Sequence, residues 1–419
     1  MTSGTTGQAA GASRSFAALR HPGFRAFVGT YALAMMADNV EHVISYWVIF
    51  QKFQSPALGG FAVISHWAPY LLFSVPVGAI AERVDPRRMI QLGMVMFIAA
   101  SVGWGWFFAT DTLELWHAVL LLVLHGAAGV FWQTASQLLL YDIVSRDELP
   151  SAVRLNATAR YLGFLVGPAI GGVLMLALGP ANGIFVNALF YLPAIVWLAR
   201  ARYGPRFRKE PSAPPRAVRG FADIVLTIRE IRGHRVLVPM ILLAAAASFL
   251  VGNSYQAQMP EFAHDLGQGD AGWRYSMLLA ADAAGALVAG VVLESGSLLR
   301  MGPATALVLA IAWCGSLAAF ALATHFTFAV AALFVAGFFE LAFASMAQAL
   351  VQIHAPLAAR GRVIGLYNTA SLGMRTFSGI SVGVAGAAVG IHASLAGAAA
   401  AMFVVAAALL VRVRFALAA

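Results

Sequence analysis

"GAIAERVDPRRMI", residues 78–90, carries Glu82, Arg83, Asp85, Arg87 and Arg88 in a run with apolar sequence on both sides. It joins two apolar stretches, 58–81 and 88–109, each long enough to cross a bilayer as a helix, which takes about 20 residues. A charged turn between two such spans must sit at a membrane surface. The turn also has a twin. Adding 212 takes Gly78, Glu82 and Arg88 to Gly290, Glu294 and Arg300, and the same shift takes Asn156, Gly167 and Gly171 to Asn368, Gly379 and Gly383. One offset that holds in two separate regions points to a duplicated unit, the plan on which many secondary transporters are built.

Working outward, apolar runs continue along the whole chain. Of its 419 residues, 60% are hydrophobic and 11% charged, whereas a soluble domain carries about 25% charged residues. Spans are expected at 24–50, 58–81, 88–109, 116–141, 153–178, 182–200, 235–258, 272–294, 302–323, 326–352, 363–389 and 391–411. The predicted class is therefore an all-α integral membrane protein with twelve transmembrane helices in two six-helix pseudo-repeats. Of the 27 lysines and arginines, only Lys52 and Arg274 fall in the outward loops, with Arg160 and Arg375 inside spans. The rest lie in inward segments, which makes both termini cytoplasmic. The formal charge of +9 thus reflects orientation and implies anionic lipid headgroups, not nucleic acid, as partners.

Four parts follow. Residues 1–22, rich in Gly, Ser, Thr and Ala and without an apolar core, read as a flexible cytoplasmic tail and not as a signal peptide. Residues 23–200 and 235–413 are the two bundles. The linker, 201–234, is Arg- and Pro-rich and ends in "FADIVLTIREIRGHR", whose apolar residues keep helical spacing. It reads as an amphipathic helix on the inner leaflet. Cys314 is the single cysteine, so no disulfide framework is expected.

The first span contains "MADNVEH", residues 36–42. Asp38, Glu41 and His42 share one helical face. A charge at the bilayer centre costs about 2.5–3.5 kcal/mol on insertion scales, so this face must point into the bundle or a wet cavity. Binding a proton relieves the desolvation of a buried carboxylate, which suits these residues to proton coupling; a structural ion-pair network is the competing reading. Asp282, Glu340 and Arg375 are further ionisable groups within spans, and Arg375 could compensate one acid. Arg160 either snorkels or faces the cavity. His66 and His125 read as hydrogen-bonded structural residues. Gln133, Gln137, Asn253, Tyr255 and Gln256 are candidates to line the pathway. No phosphate-binding loop, His- or Cys-based metal motif or nucleophile elbow is present in the sequence, so neither an enzyme nor a cofactor is expected.

The turn at 78–90 resembles the loop signature of the major facilitator superfamily, Gly-x-x-x-Asp-Arg-x-Gly-Arg-Arg. Gly78, Arg83, Arg87 and Arg88 fit; Glu82 replaces the usual Asp, and Asp85-Pro86 depart from the pattern. The resemblance implies a latch closing the cytoplasmic side, with Glu82 at the N-terminus of span eleven and Arg83 paired with Asp142. In span five, "GFLVGPAIGG" matches the superfamily's antiporter motif through Gly163, Gly167, Pro168, Gly171 and Gly172. The motif implies export, and close packing of span five on another span, expected to be the small-residue span eight. "DELPSAVRLNATARYLGFLVGPAIGGVL" and "RGRVIGLYN" look most like the branch that includes the enterobactin exporter and macrolide and drug efflux proteins.

The expected function is export of an amphipathic small molecule, drug-like or a siderophore, by proton antiport and alternating access. Asp38 is the first choice for the coupling acid, then Glu41 and Glu340. The expected setting is a monomer in a bacterial inner membrane. Proton-coupled import, lysolipid transport and a non-transporting receptor are the alternatives.

Overall fold

The computed structural model describes residues 15–54, 56–208, 216–252, 254–266, 273–295, 299–378 and 385–418, and all regular structure among them is helical. Asn253, Gly379 and Gly383, and positions 1–14 of the tail, lie outside the described residues. The helices α1 (Pro22–Phe53), α2 (Pro56–Ala81), α3 (Pro86–Thr110) and α4 (Leu115–Ile143) make one pass each. The departure of the 78–90 turn from its motif has a local cause: Asp85 caps α3, its side chain accepting from the Arg87 N–H, and Pro86 occupies the first turn, where its missing N–H is harmless.

The run α5 (Leu149–Leu189) is two passes. Gly179 has φ 77° and precedes Pro180, and Gly183 lies against the Leu174 carbonyl. A straight helix would hold those two roughly 13 Å apart. The sixth pass is completed by α6 (Leu192–Arg200). After the linker helix α7 (Ala222–Ile231), the seventh pass comes in pieces: α8 (Leu237–Leu250), α9 (Ser254–Ala257) and α10 (Met259–Asp265). At 14 residues, α8 spans only about 21 Å of a core near 30 Å thick. Passes eight to ten are α11 (Trp273–Ser295), α12 (Pro303–Ala321) and α13 (Phe326–His354). The eleventh comprises α14 (Arg360–Ser371), a 3-10 turn at Gly373–Phe377 and α15 (Ala385–Val389), and the twelfth is α16 (Ile391–Ala418). Among the described residues, eight helical runs are individually long and apolar enough to cross a membrane. One of them is the folded α5–α6 pair. The other passes are α1, which carries the charged heptapeptide, and the broken seventh and eleventh.

Each half has its own packed interior. In the second half one apolar cluster runs from Leu237 to Val413 and takes in Val75, Ala157 and Tyr161 of the first half. The first half has two, one around Phe27, Met94 and Leu139, the other around Ile44, Trp104 and Leu122. Along α1, α3 and α4 the switch from one cluster to the other falls between Ala37 and Val40, Phe97 and Trp104, and Ala128 and Leu122. At that boundary stand Asp38, Glu41, Ser101 and His125, all buried.

The halves meet through glycines. A Cβ on Gly78 or Gly361 would lie 2.1 Å from the other residue's carbonyl oxygen, and one on Gly365 2.3 Å from the Ser74 oxygen. Only glycine lets α2 and α14 approach so closely.

Two expectations change. The antiporter-motif glycines do not face span eight. Gly163 packs on Met35, Gly167 on Asn39 and Gly171 on Val40 and Val43, all in α1. The small residues of span eight are used differently: Gly285 seats the Phe334 carbonyl of α13, and Gly290 seats Thr158, nearer the basic end of α5. The second change concerns the tail. Its last residues are fixed, since the Ala18 N–H donates to Ser151 Oγ (3.2 Å) and Ser15 Oγ to the Ser295 carbonyl (2.5 Å).

Candidate functional site

Inside the first half, His125 joins the two acids of the heptapeptide. Its Nε2 is 2.8 Å from Asp38 Oδ1 and its Nδ1 is 2.8 Å from Glu41 Oε1. Ser101 Oγ donates to the other Glu41 oxygen, and Asn187 Nδ2 to Ser101 Oγ at 3.4 Å. His42 Nδ1 lies 4.0 Å from Asp38 Oδ2. The His66 ring centroid is 4.8 Å from that of His42 and 5.6 Å from that of His125. Asp38, His42, His66 and His125 each offer a donor atom, all within 4.8 Å of one another. His125 is hydrogen-bonded, as expected, but to two acids at once, and His66 stands beside it in the same cluster. The signal was available as depth: positions 42, 66 and 125 reach similar levels in the first, second and fourth spans. No spacing motif reports it, because three helices supply the residues.

A second site lies between the halves. A cavity of about 50 Å³ is lined by Gln137 and Arg160 from the first half and by Trp313, Glu340, Asn368 and Arg375 from the second, among others. Arg160 faces this cavity. Asp38 does not line it, although it was the first candidate by sequence. Gln137 reaches across to Asn368 Oδ1 (2.8 Å), whereas Gln133 bonds Tyr31 within the first half and stands away from the cavity. Behind Glu340, the Tyr255 hydroxyl donates toward Asp282 Oδ2 (3.1 Å) and Glu340 Oε2 (3.4 Å), and Gln256 Nε2 donates to Asp282 Oδ2 (3.0 Å). Arg375 donates to the Ser371 carbonyl and lies 5.0 Å over the Trp67 ring.

The cavity is sealed at the arginine-rich end. Glu82 Oε1 accepts from the Arg362 backbone N–H (3.0 Å) in the first turn of α14, and its other oxygen meets the Arg362 guanidinium. Burial pushes the Glu82 carboxyl above its ordinary value, opposed by these Arg362 contacts. The same guanidinium donates through Nε to Asp223 of α7 (3.0 Å). Arg154 and Ser151 of α5 close on Glu294 of α11, and Arg360 lies 3.8 Å over the Tyr141 ring. Arg83 is exposed, and Asp142 instead holds Arg208, at 2.6 and 3.0 Å. The linker reaches that carboxylate where the turn does not. Arg87 turns back to Asp85 and the Ala201 carbonyl, and Arg88 to Gln91.

In sequence, the profile of the family described as transmembrane secretion effector matches residues 13–418. The multidrug efflux pump Tap of Mycobacterium tuberculosis is 25% identical over 238 residues, 55% of this chain and 56% of the pump; Tap of Mycobacterium bovis matches to the same extent. The matched region thus spans little more than half the length of these curated relatives. Two solved structures share the fold: the human organic anion transporter MFSD10 (TM-score 0.71, 14% identity, 93% of this chain and 100% of that one), and the Escherichia coli fucose:proton symporter FucP (TM-score 0.70, 13% identity, 96% and 99%).

Proposed function

The chain belongs to the transmembrane secretion effector family of the major facilitator superfamily, and on that footing we propose that it exports an amphipathic small molecule, drug-like or a siderophore, in exchange for protons. The observation that carries this reading is the cavity between the halves, lined from both sides, with Glu340, Arg160 and Arg375 all in its wall. A site shared by two halves is the arrangement alternating access needs, because rocking one half on the other exposes it to either face. Closure at the basic end, read as cytoplasmic from the positive-inside distribution, makes this an outward-oriented or occluded state. Opening inward requires Glu82 to leave Arg362 and Glu294 to leave Arg154.

Coupling falls to Glu340 with Asp282. The buried Asp282 and the half-buried Glu340 share one tyrosine hydroxyl; they repel when both are charged, and a single proton removes the repulsion. A cationic or amphipathic substrate beside Glu340 displaces that proton, and its departure outward lets the proton return. Similarity to multidrug efflux pumps supports the drug-like class, the antiporter motif supports export, and the family setting supports a monomer in a bacterial inner membrane.

The deciding experiment reconstitutes the full chain in liposomes with an imposed pH gradient and follows a lipophilic cation dye and a siderophore. Wild type is expected to move one of them uphill, while Glu340→Gln retains only downhill flux. Undiminished uphill flux in Glu340→Gln overturns the assignment. Loss of uphill flux in Asp38→Asn alone moves coupling to the first half, and flux in the opposite direction makes the chain an importer.

A further inference from the structure

We infer that Asp38, His42, His66 and His125 form a binding site for a divalent transition metal ion of the zinc class, buried within the first half and separate from the transport cavity. The donor set argues for it first. Three imidazoles and one carboxylate, drawn from α1, α2 and α4, are ligands that select zinc, cobalt, nickel or copper over magnesium and calcium. Their donor atoms already lie within 4.8 Å of one another. A tetrahedral site with bonds near 2.0–2.1 Å needs ligand separations of about 3.3 Å, so side-chain rotation brings the set in without moving a helix.

Unused hydrogen-bonding capacity points the same way. Among the described residues, His42 Nε2 and His66 Nδ1 are buried without a hydrogen-bond partner, a cost native proteins rarely leave standing. Metal ligation would give the two orphaned nitrogens a partner, and would exchange the His125 Nε2–Asp38 hydrogen bond (2.8 Å) for bonds from both to the ion. The outer contacts are also built. A ligating histidine normally donates its other ring nitrogen to a carboxylate, and His125 turns Nδ1 to Glu41 while Nε2 faces Asp38. Glu41 is in turn held by Ser101, and Ser101 by Asn187.

Charge completes the case. Asp38 and Glu41 bring two negative charges into a membrane-embedded bundle, and one divalent ion neutralises both. All four ligands belong to one half, so the site persists when the halves rock, and the ion acts as a resident clamp on α1, α2 and α4. Entry is from the side where a fifth of the His42 side chain (21%) stays exposed.

The test uses purified, tag-free full-length protein, titrated with Co²⁺ and then Zn²⁺. One equivalent of Co²⁺ should give the visible spectrum of a tetrahedral site, bleached by Zn²⁺. His42→Phe and His66→Phe keep an aromatic ring and break no hydrogen bond of the orphaned nitrogens. Each should weaken Zn²⁺ binding at least tenfold, and Glu41→Gln by about 10–100-fold. His392→Phe, which alters the surface pair with Asp265, should change nothing. X-ray absorption on zinc-loaded wild type should report imidazole ligation, and this readout needs no variant to fold. Absence of saturable uptake overturns the inference, as does binding unaffected by both ring substitutions or lost only in His392→Phe.

Discussion

At the scale of single residues, the glycines of α5 divide sharply. A Cβ on Gly167 would fall 2.5 Å from Asn39 Cβ, whereas one on Gly172 meets nothing within 4 Å among the described residues. Gly167→Leu should therefore lower the thermal midpoint in detergent by an amount equivalent to about 1–3 kcal/mol, and Gly172→Ala should leave it unchanged; equal effects would mean the α1–α5 contact is not tight. Glu148 supplies a pH-dependent case outside the spans. Burial tends to raise its pKa, but hydrogen bonds from Ser145 and the ion pair with His21 outweigh it, so the carboxyl is held below its ordinary value. A depressed folded value contributes stability above the unfolded value, near 4.5, and loses it as pH falls through the folded one. The stability difference between wild type and Glu148→Gln should be full near pH 5 and shrink on further acidification; a difference that grows in acid would reverse the sign of the argument. The heptapeptide shows what residue-level reading can reach. Its acids and His42 were legible on one face, but His125, which bridges the acids from α4, was not, because a contact between helices leaves no mark at any fixed spacing.

At the scale of elements, the membrane passes were legible wherever one helix does one job, since hydropathy and length decide those. The seventh and eleventh passes were legible as spans, but their breaks into pieces were not. The break in the eleventh answers to packing: the 3-10 turn after α14 begins at Gly373, where a Cβ would fall 2.5 Å from the Leu71 Cα of α2. The partner of α5 was misassigned for a related reason, because small-residue stripes occur on α5 and α11 alike and composition does not say which stripe meets which. The linker helix α7 was legible as amphipathic, but not as a component of the closure. Asp223 is 2% exposed, accepts the Arg219 N–H (2.7 Å) and holds the guanidinium that also binds Glu82. Removing one partner of a buried charge pair costs about 3–5 kcal/mol, so Asp223→Asn should loosen the α2–α14 closure although it lies in neither helix. Hydrogen exchange of the first turn of α14 should quicken in that variant; unchanged exchange would make α7 a passive tether.

At the scale of the whole molecule, the internal repeat predicts how the halves move. Arg88 and Arg300 are twins at the 212-residue offset, and both are exposed at the basic end. They report on opposite sides of the closure, and the Arg88 side chain is turned to Gln91 within α3 and not into the closure. The chain's single cysteine, Cys314, is buried, so replacing it by serine leaves a clean background for spin labels at Arg88→Cys and Arg300→Cys. The closed basic end should give a short inter-label distance. Breaking the shared anchor with Arg362→Ala removes the Glu82 and Asp223 contacts together and should move the population to a longer one. A ligand favours a state only by its difference in affinity for the two, so a transported compound should redistribute the same two distances without creating a third. If the distribution stays single and fixed in wild type, in Arg362→Ala and with compound present, the halves do not rock, and the cavity around Glu340 is a binding pocket and not a pathway.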